Sequence, residues 1–526
     1  MPTATRTNRA LLPVVLLSLA LVVAAVPALN VALPNLARGT KATQTQIQWI
    51  VDAYALVFAG LLLPAGATGD RYGRKPVLLT GLLTFAAGSL AASFAGDPTT
   101  LIVLRGVMGV GAALVMPTTL SVITTSFGKQ EQSKAITAWV GVASAGAVLG
   151  LLVSGILLEW FDWPAVFVLN AVMGSVAAAG VAAIVPNSRD PHRPPIDYLG
   201  AVLSSAGLAG IVFGAIEGPD HGWSSGLTLG SFVLGAVLLA LWVAWGLRVK
   251  QPLLDPRLFC LRGFSAGVLS ISMQFFVFLG FVFVYLQYAQ LVLGYSPLQA
   301  ALSLLPMGML LGGLSRRAPH LVARIGRRAV ATGGLLLMAV GAAVLSQLST
   351  SSSYWAVLAG ILPFGAGMAL ATPPATTAIV GALPAHKQGV ASAVNDAARE
   401  VGGTLGIAVL GSVLNFAYRE SLSNGSISGV PVGLLPIARR SLAAAMATGS
   451  HPGTPGIALQ RAASQAFTDG LSTAFAIASG VLVCAAVVVF VLLRPGWVPE
   501  SDGGKQALVD EYAVVAAGEE AVQDRP

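Results

Sequence analysis

The sequence predicts an all-α polytopic membrane protein with fourteen transmembrane helices, arranged as two six-helix bundles plus two extra central helices. Composition, recurring apolar runs and an internal repeat predict this class. Of the 526 residues, 55% are hydrophobic and only 10% are charged, whereas a soluble domain carries about 25% charged residues. Runs of about 20 apolar residues, enough to cross a hydrocarbon core of roughly 30 Å, recur along the whole chain. Most of the chain is therefore expected to face lipid or other apolar helices.

The apolar runs define the predicted helices one by one. They lie near 11–36, 47–67, 76–95, 99–126, 134–158, 164–185, 197–217, 226–247, 262–290, 297–315, 329–348, 354–382, 389–418 and 471–494. Arg6 and Arg9 precede the first run, as in a signal peptide. That run is too long for a signal peptide and has no clear small-residue cleavage site, so we interpret it as a transmembrane helix.

The distribution of basic residues predicts the orientation. An even number of helices puts both termini on one side, and the loops of that side hold 22 of the 30 lysines and arginines. The opposite loops hold six, and Arg105 and Arg399 fall within helices. The positive-inside rule therefore places both termini in the cytoplasm. This topology explains the net charge of +8 without a nucleic-acid partner, and we expect a bacterial cytoplasmic (inner) membrane location.

The internal repeat relates the first six helices to the last six. Residues 71–83 match 324–336 at a shift of 253 residues, with Arg71 aligned to Arg324 and Gly81 to Gly334. At a shift of 256, glycines and a proline of the fourth and fifth helices match the twelfth and thirteenth: Gly109, Gly111, Pro117, Gly146, Gly150 and Gly155 align with Gly365, Gly367, Pro373, Gly402, Gly406 and Gly411. Parallel six-helix halves of this kind are typical of rocking transporters.

The repeat also divides the chain. We predict an N-terminal six-helix bundle in 1–185, a cytoplasmic linker and two inserted helices in 186–261, and a C-terminal six-helix bundle in 262–494. The last bundle carries an outer loop, 419–470, with a short amphipathic helix around 437–446, and 495–526 is predicted to be a disordered cytoplasmic tail. Cys260 and Cys484 are the only cysteines in the sequence, so no disulfide framework or metal–cysteine cluster is expected.

The loop between the second and third predicted helices carries the most specific motif, Gly66-Ala-Thr-Gly-Asp70-Arg71-Tyr-Gly73-Arg74-Lys75. It resembles the G-x-x-x-D-R-x-G-R-[RK] signature of the major facilitator superfamily, and its glycines permit a tight turn. The resemblance implies a conformational latch in which Asp70 pairs with the arginines and sits against a helix N-terminus of the other half. A simple positive-inside loop would explain the basic residues but not the acid and the glycines. In the second copy Ala323 replaces the acid, so the latch is predicted on one side alone.

Around this loop the chain is similar to the fourteen-helix drug:proton antiporter branch of that family. The similarity includes Asn30-Val-Ala-Leu-Pro34, Gln48-Trp49, Leu104-Arg105-Gly106 and the glycine face Gly146, Gly150 and Gly155. Small residues on that face are expected to let helices pack closely and rock. The chain departs from the family in two places. Ala25 stands where the family has an acid, with Pro27 expected to disturb the helix nearby, and Leu151 replaces a proline after Gly150.

Ionisable residues inside the predicted helices are candidates for proton coupling, because a charge in hydrocarbon is costly. The candidates are Asp52, Arg105, Asp396, Arg399 and Glu400. The resemblance associates Arg105 with proton coupling, and Asp396 and Glu400 share one helix face with Arg399 close enough to pair. A buried carboxylate can take up a proton on one side and release it on the other. Two alternatives stay open: 389–400 could be a cytoplasmic overhang, which the repeat disfavours, and Asp52 could be an interfacial acid.

A stripe on the ninth predicted helix is a candidate wall of the substrate cavity. Its members, spaced 4, 3, 4 and 3 residues apart on one face, are Gln274, Phe278, Phe281, Tyr285 and Tyr288. Aromatic rings with polar tips suit flat, apolar or cationic drugs. A lipid-facing or packing stripe is the alternative.

These features together predict a transporter. The string Gly69 to Lys75 lacks the phosphate-loop spacing of an ATPase, and the five histidines lie in loops or at their edges, which disfavours an intramembrane enzyme. We predict a monomeric, proton-coupled exporter of drugs or other small amphipathic molecules, with no metal and no cofactor besides the proton gradient. Its partners are the substrate and the lipid bilayer. An exporter of an endogenous metabolite or envelope lipid, or a nutrient importer of the same fold, are the alternatives.

Overall fold

The computed structural model describes residues 4–189, 196–250, 252–383, 388–423, 430, 432–449 and 454–493, and within these ranges the chain is helical without strands. Its long helices are α1 (Ala4–Thr40), α2 (Gln44–Tyr72), α3 (Arg74–Ala92), α4 (Pro98–Ser126), α5 (Lys129–Leu157), α6 (Pro164–Ile184), α7 (Tyr198–His221), α8 (Gly226–Gly246), α9 (Arg262–Leu291), α10 (Pro297–Ile325), α11 (Arg327–Leu345), α12 (Tyr354–Gly381), α13 (Gln388–Ser421) and α14 (Thr454–Leu492). Thirteen are long and apolar enough to cross a membrane. The fourteenth is α5, which bends by 45° between Lys134–Ala143 and Ala145–Leu157. The predicted all-helical membrane fold is confirmed.

Prolines stand at the breaks within α10, but a proline within α1 does not break that helix. The predicted tenth helix consists of Pro297–Ser303, Leu305–Leu314, a 3-10 turn and Ala318–Ile325. Pro306 and Pro319 stand at the starts of the later segments, where a missing N–H costs least. In contrast, α1 continues through Pro27, so the expected disturbance does not end the helix there.

The predicted outer loop is shorter than 419–470. Helix α14 begins at Thr454, well before the predicted 471, and its polar first turns stand ahead of the apolar run. The described part of the loop holds two short helices, Leu435–Ala438 and Leu442–Gly449, where one was expected around 437–446. The proposed tail, 495–526, and residues 190–195 of the linker lie outside the described residues.

The first six helices and the last six use the same packing partners. Helix α1 packs against α4, α5 and α6, α3 against α4 and α6, and α2 against α4. Eight helices later, α9 packs against α12, α13 and α14, α11 against α12 and α14, and α10 against α12. Equivalent helices therefore have equivalent neighbours.

The glycines that align in the repeat lie at equivalent contacts. A Cβ on Gly111 of α4 would lie 2.7 Å from the carbonyl oxygen of Gly81 of α3. The counterparts Gly367 of α12 and Gly334 of α11 face each other in the same way. Only glycine allows backbones to approach this closely. The two copies therefore share the geometry of a helix crossing in addition to the identity of the residues.

The inserted helices α7 and α8 pack against each other, and α7 lies between α2 and α13. The Ser205 hydroxyl donates to the carbonyl of Gly60 on α2 at 2.8 Å. Near the end of α7, Glu217 accepts a 2.7 Å hydrogen bond from the Trp49 indole of α2, and Asp220 pairs with Arg419 of α13. Helix α7 thus contacts one helix from each half.

Candidate functional site

Three buried side chains form a charged cluster between α2 and α4. Arg105 is completely buried, its Nε donates to the carbonyl of Ile50 at 2.9 Å, and its guanidinium lies 4.3 Å from the centre of the Tyr54 ring. Asp52 is also completely buried and interacts electrostatically with Arg105. Neither oxygen of Asp52 and neither terminal nitrogen of Arg105 has a hydrogen-bond partner among the described residues. Buried polar atoms normally have hydrogen-bond partners, so the Asp52 oxygens and the terminal nitrogens of Arg105 are available for further hydrogen bonds.

Two neighbours of this cluster fix its position. The Tyr54 hydroxyl donates to the carbonyl of Val22 on α1 at 3.1 Å, and its ring packs edge-on against Phe85 of α3. Gly109 of α4 lies against the backbone of Tyr54, where a Cβ would come within 2.6 Å of the carbonyl oxygen. The close approach of α2 and α4 therefore holds Arg105 over the Tyr54 ring.

The second cluster lies on α13. The Arg399 guanidinium lies 5.3 Å from the centre of the Phe275 ring of α9, and Asp396 and Glu400 interact electrostatically with Arg399. Phe275 stands thirteen residues into α9, roughly 20 Å from the start of that helix. All three charged side chains of α13 are partly buried. This packing places them beside the middle of α9, which does not match a cytoplasmic overhang.

The two clusters approach each other across the contact between α2 and α13. Glu400 lies close enough to Tyr54 to interact with it electrostatically, and Tyr54 lies under Arg105. Because α2 belongs to the first six helices and α13 to the last six, titratable groups of both halves meet here. A proton moving onto Glu400 would change the field at Tyr54.

The hydrogen bonds that described residues make between the two halves lie toward the end that holds the α1–α2 turn, the predicted outer end. Gln48 of α2 donates to Ile407, Ala408 and Ser412 of α13, and Asn415 of α13 donates to Thr45. Gln290 of α9 donates to Val31 of α1 at 3.0 Å, and Leu298 of α10 donates to Glu159. Helices from both halves are therefore joined at this end.

Glycines of the repeat bring the halves together at the same end. Gly155 of α5 faces α10, where a Cβ would lie 3.1 Å from the Cα of Leu298. Its counterpart Gly411 of α13 faces Gln48 of α2. The other predicted packing residues act within one half, because Gly146 and Gly150 lie against Val23 and Ala24 of α1. The glycine face thus has one member at the contact between halves.

The two short helices between α13 and α14 also contact the first half. The backbone N–H of Gln44 donates to the carbonyl of Arg440 at 2.9 Å, and the Ser441 hydroxyl donates to the carbonyl of Ala42 at 3.4 Å. The segment that connects α13 to α14 therefore contacts the α1–α2 turn.

The latch loop, 66–75, lies at the opposite end, and although it was predicted as a loop it is helical except at Gly73, where α2 ends and α3 begins. Asp70 accepts two hydrogen bonds from Arg74, at 2.8 and 3.1 Å, and the Lys75 ammonium donates to the carbonyl of Ala182 on α6. Gly73 has φ of +115°, a conformation that side chains rarely adopt, and this permits the turn into α3. Arg71 lies 5.8 Å from the Tyr72 ring, and Gly66 faces Pro117 of α4.

The pairing of the acid with an arginine thus occurs inside this loop. The implied contact with a helix N-terminus of the other half is not among the hydrogen bonds that described residues make. The loop instead bonds to the first half and to Ser188, whose carbonyl accepts from the N–H of Arg74 at 2.8 Å.

The stripe on α9 is largely a packing element. The Phe281 ring stacks on Tyr285 at 5.3 Å between ring centres and contacts Phe364 of α12 and Phe475 of α14. Tyr285 bonds to the Ser303 hydroxyl, and the Tyr288 hydroxyl donates to the carbonyl of Ser349. Phe281, Tyr285 and Tyr288 are completely or almost completely buried, and their place in the wall of a substrate cavity stays a prediction.

The remaining members of the stripe have different surroundings. Gln274 is buried and held by Ser270 and Thr372, and Phe278 is partly buried beside Phe275. Phe278 therefore stands in the same layer as the ring under Arg399.

Sequence reasoning missed Gln48, Gln290 and Asn415 as contacts between the halves. Each is an amide side chain within an apolar helix, and such a residue in a membrane usually bonds to a neighbouring helix. That signal was present in the sequence, but it does not identify the partner. For metals, the described residues hold no group of three or more His, Cys, Asp or Glu side chains that could bind an ion.

The fold and the buried charges at the junction of two repeated halves define a multi-pass membrane transporter. Residues 15–407 match the sequence model of the Major Facilitator Superfamily, and the chain belongs to this family. The predicted family is confirmed, and it is a family of transporters and not of enzymes.

Individual relatives cover nearly the whole chain. The methyl viologen resistance protein SmvA of Salmonella typhimurium is 35% identical over 470 residues, covering 87% of this chain and 93% of the relative. The multidrug efflux pump LfrA of Mycolicibacterium smegmatis is 33% identical over 504 residues, covering 94% and 98%. A crystal structure of a bacterial homologue of the human lysosomal transporter Spinster superposes with a TM-score of 0.62 at 16% identity, covering 94% and 97%. That likeness shows the shared fold.

Proposed function

We propose that this chain is a proton-coupled exporter that moves drugs or other small amphipathic molecules out of the cytoplasm by alternating access. Residues 1–185 and 262–494 are the two moving halves, and α7 and α8 with their linker, 186–261, lie between them. The protein is proposed to reside in a bacterial cytoplasmic membrane with both termini inside. It acts as a monomer that uses the proton gradient and no bound cofactor.

One observation carries the proposal: titratable groups from both halves meet in the protein interior. Asp52 and Arg105 belong to one half, and Asp396, Arg399 and Glu400 belong to the other. A charge is costly in such surroundings unless it has a partner, so protonation changes the free energy of bringing the halves together. Proton uptake can therefore be linked to rocking.

The direction of the cycle follows from the predicted orientation. With the α1–α2 turn outside, the hydrogen bonds between the halves close the outer end and leave the cytoplasmic end to open. Substrate would enter from the cytoplasm in this state. Opening outward must break the bonds of Gln48 and Asn415, and the latch loop with Asp70 would then engage the other half at the cytoplasmic end. Outside protons would load the carboxylates and release substrate.

The names of the relatives support the substrate class, because methyl viologen is a flat organic cation and the second relative is a multidrug efflux pump. Within this chain, the Phe275 ring lies under Arg399, which interacts electrostatically with Asp396 and Glu400, and Phe278 packs edge-on against Phe275. Aromatic rings next to a carboxylate suit a flat cation. We propose that substrate and protons compete for this part of α9 and α13.

Everted membrane vesicles provide the test. Adding a substrate from a panel of cationic and neutral drugs to energised vesicles should release protons from wild-type vesicles. The same drugs should release none from vesicles that carry Asp396→Asn or Glu400→Gln, because the neutral side chain cannot exchange a proton. The matched control is Asp162→Asn, which removes an exposed carboxylate from the α5–α6 turn and should leave proton release unchanged.

The outcomes separate the alternatives. Proton release that persists in both α13 variants would refute this assignment of the coupling groups. Proton release with endogenous metabolites or lipids but with no drug would make the chain an exporter of that compound. Joint exit of substrate and protons from preloaded everted vesicles would identify an importer.

A further inference from the structure

The end of α10 on the latch-loop side carries a basic patch. Residues 316–328 hold five arginines and no acid. Arg316, Arg317 and Arg324 are exposed, and among the described residues they form no ion pair. A positive surface without an ion pair among the described residues is therefore formed by Arg316, Arg317 and Arg324.

Comparison of the two copies of the repeat shows that the second copy lacks the acid. In the first copy Asp70 neutralises Arg74 four residues later, at 2.8 Å. In the second copy Ala323 and Arg327 occupy the equivalent positions. Residues 316–328 contain no acid, so the negative charge that balances the exposed Arg316, Arg317 and Arg324 comes from outside this segment.

The position of the patch indicates the source of that charge. Helix α10 spans 29 residues, about 43 Å, which exceeds a hydrocarbon core of roughly 30 Å. Its last segment, Ala318–Ile325, therefore lies at the level of the lipid headgroups. Leu321 and Ile325 are 36% and 58% exposed beside the arginines. An apolar stripe next to a basic stripe is the pattern of a helix that lies against a membrane surface.

We propose that the segment 316–325 binds anionic membrane lipid, with the phosphate headgroup on Arg316, Arg317 and Arg324 and the acyl region against Leu321 and Ile325. Anionic headgroups attract clustered basic residues at a membrane surface. The inference concerns a surface outside the transport path, so it does not depend on the proposed substrate or on proton coupling.

The test uses the purified full-length chain in detergent, with lipid binding followed by native mass spectrometry during titration with phosphatidylglycerol or phosphatidylcholine. Phosphatidylglycerol should bind more tightly. The variant R316Q/R317Q/R324Q should weaken that binding by about tenfold or more. The control R248Q/K250Q/R262Q removes three exposed basic residues between the end of α8 and the first turn of α9, on the same predicted side, and should change it less than about twofold.

A second variant keeps every arginine. Ala323→Asp restores the acid of the first copy and should weaken phosphatidylglycerol binding without reducing the number of basic residues. Thermal unfolding of each variant checks that it is folded. If the triple variant is not folded, the Ala323→Asp variant alone provides the test.

Three results would overturn the proposal. The two lipids could bind equally well, or both triple variants could lose binding equally. Inorganic phosphate could also displace phosphatidylglycerol at low concentration, which would make this a site for a soluble phosphate compound.

Discussion

At the scale of single residues, Asp52 and Arg105 are two charged side chains in the interior of the first six-helix bundle. Both are completely buried, and Arg105 is held by the Ile50 carbonyl and by the ring of Tyr54. Asp52 and Arg105 interact electrostatically without a hydrogen bond between them, so removing one leaves the other buried without an opposite charge, which costs more than removing both. The relation between the two side chains can therefore be measured through stability.

We predict that Arg105→Met lowers the free energy of unfolding by about 3–5 kcal/mol. Adding Asp52→Asn to that variant should restore a large part of the loss. The measurement is reversible unfolding of the purified protein in mixed micelles, with the double variant completing the cycle.

The control for this cycle is Tyr54→Phe. It removes one hydrogen bond, to the Val22 carbonyl, and should cost about 0.5–1.5 kcal/mol. The ring under Arg105 remains, so Asp52→Asn should not rescue this variant. Equal stabilities for Arg105→Met with and without Asp52→Asn would show that the two side chains are not coupled.

The sequence predicted which charges lie inside the membrane helices but not what surrounds them. Arg105 and Asp52 stand out because a charge in an apolar run is rare. Tyr54, which connects them to Glu400, looks like any other aromatic residue of an apolar helix. Its role depends on the approach of α2, α4 and α13, and that approach is set by contacts far apart in the sequence.

At the scale of helices, close backbone contacts determine where a larger side chain can replace a glycine. A Cβ on Gly150 would lie 2.6 Å from the Ala24 carbonyl oxygen of α1, a distance that real Cβ atoms do not reach. On the same helix, Gly141 has no atom within 4 Å of its would-be Cβ. The two glycines therefore form a matched pair for testing packing against helix propensity.

We predict that Gly150→Ala destabilises the protein, since α1 and α5 must move apart, and a typical overpacking cost is about 1–3 kcal/mol. Gly141→Ala should be neutral or slightly stabilising, because alanine is the better helix former. Thermal unfolding monitored by size-exclusion chromatography of the purified variants checks both. Similar melting temperatures for the two variants would mean that the contact is not tight.

Helix boundaries were predicted well where the apolar run and the helix coincide, as for α6 and α8. They were predicted poorly where the helix continues past the apolar run. Helix α14 starts at Thr454 although Arg461 and Asp469 interrupt the apolar pattern, because polar residues support a helix outside the hydrocarbon layer. The division of α10 has a sequence signal in Pro306 and Pro319, but similar prolines leave α1 continuous.

At the scale of the whole molecule, the repeat was the most informative feature of the sequence. Glycines that align at fixed shifts lie at equivalent crossings, as Gly111 with Gly81 and Gly367 with Gly334 show. The repeat could not reveal which end of the bundle is closed. Two halves with the same fold can be joined at either end of the bundle. The repeat does not identify the amide side chains that join them at the end with the α1–α2 turn.

The closed end provides the sharpest test of rocking. Asn415 of α13 donates to the Thr45 hydroxyl of α2 at 3.2 Å, so cysteines at these positions can be joined by a short methanethiosulfonate cross-linker, whose disulfide bonds a reducing agent cleaves. After replacing Cys260 and Cys484 by serine, we predict that cross-linking Thr45→Cys to Asn415→Cys reduces transport to background and that a reducing agent restores it, since alternating access requires this end to open. The control joins Ala28→Cys to Ser154→Cys within one half, where Ser154 donates to the Ala28 carbonyl at 2.7 Å. Because both residues move with the same half, that link should leave transport intact. Full transport by the cross-linked Thr45/Asn415 pair would mean that the halves do not separate here.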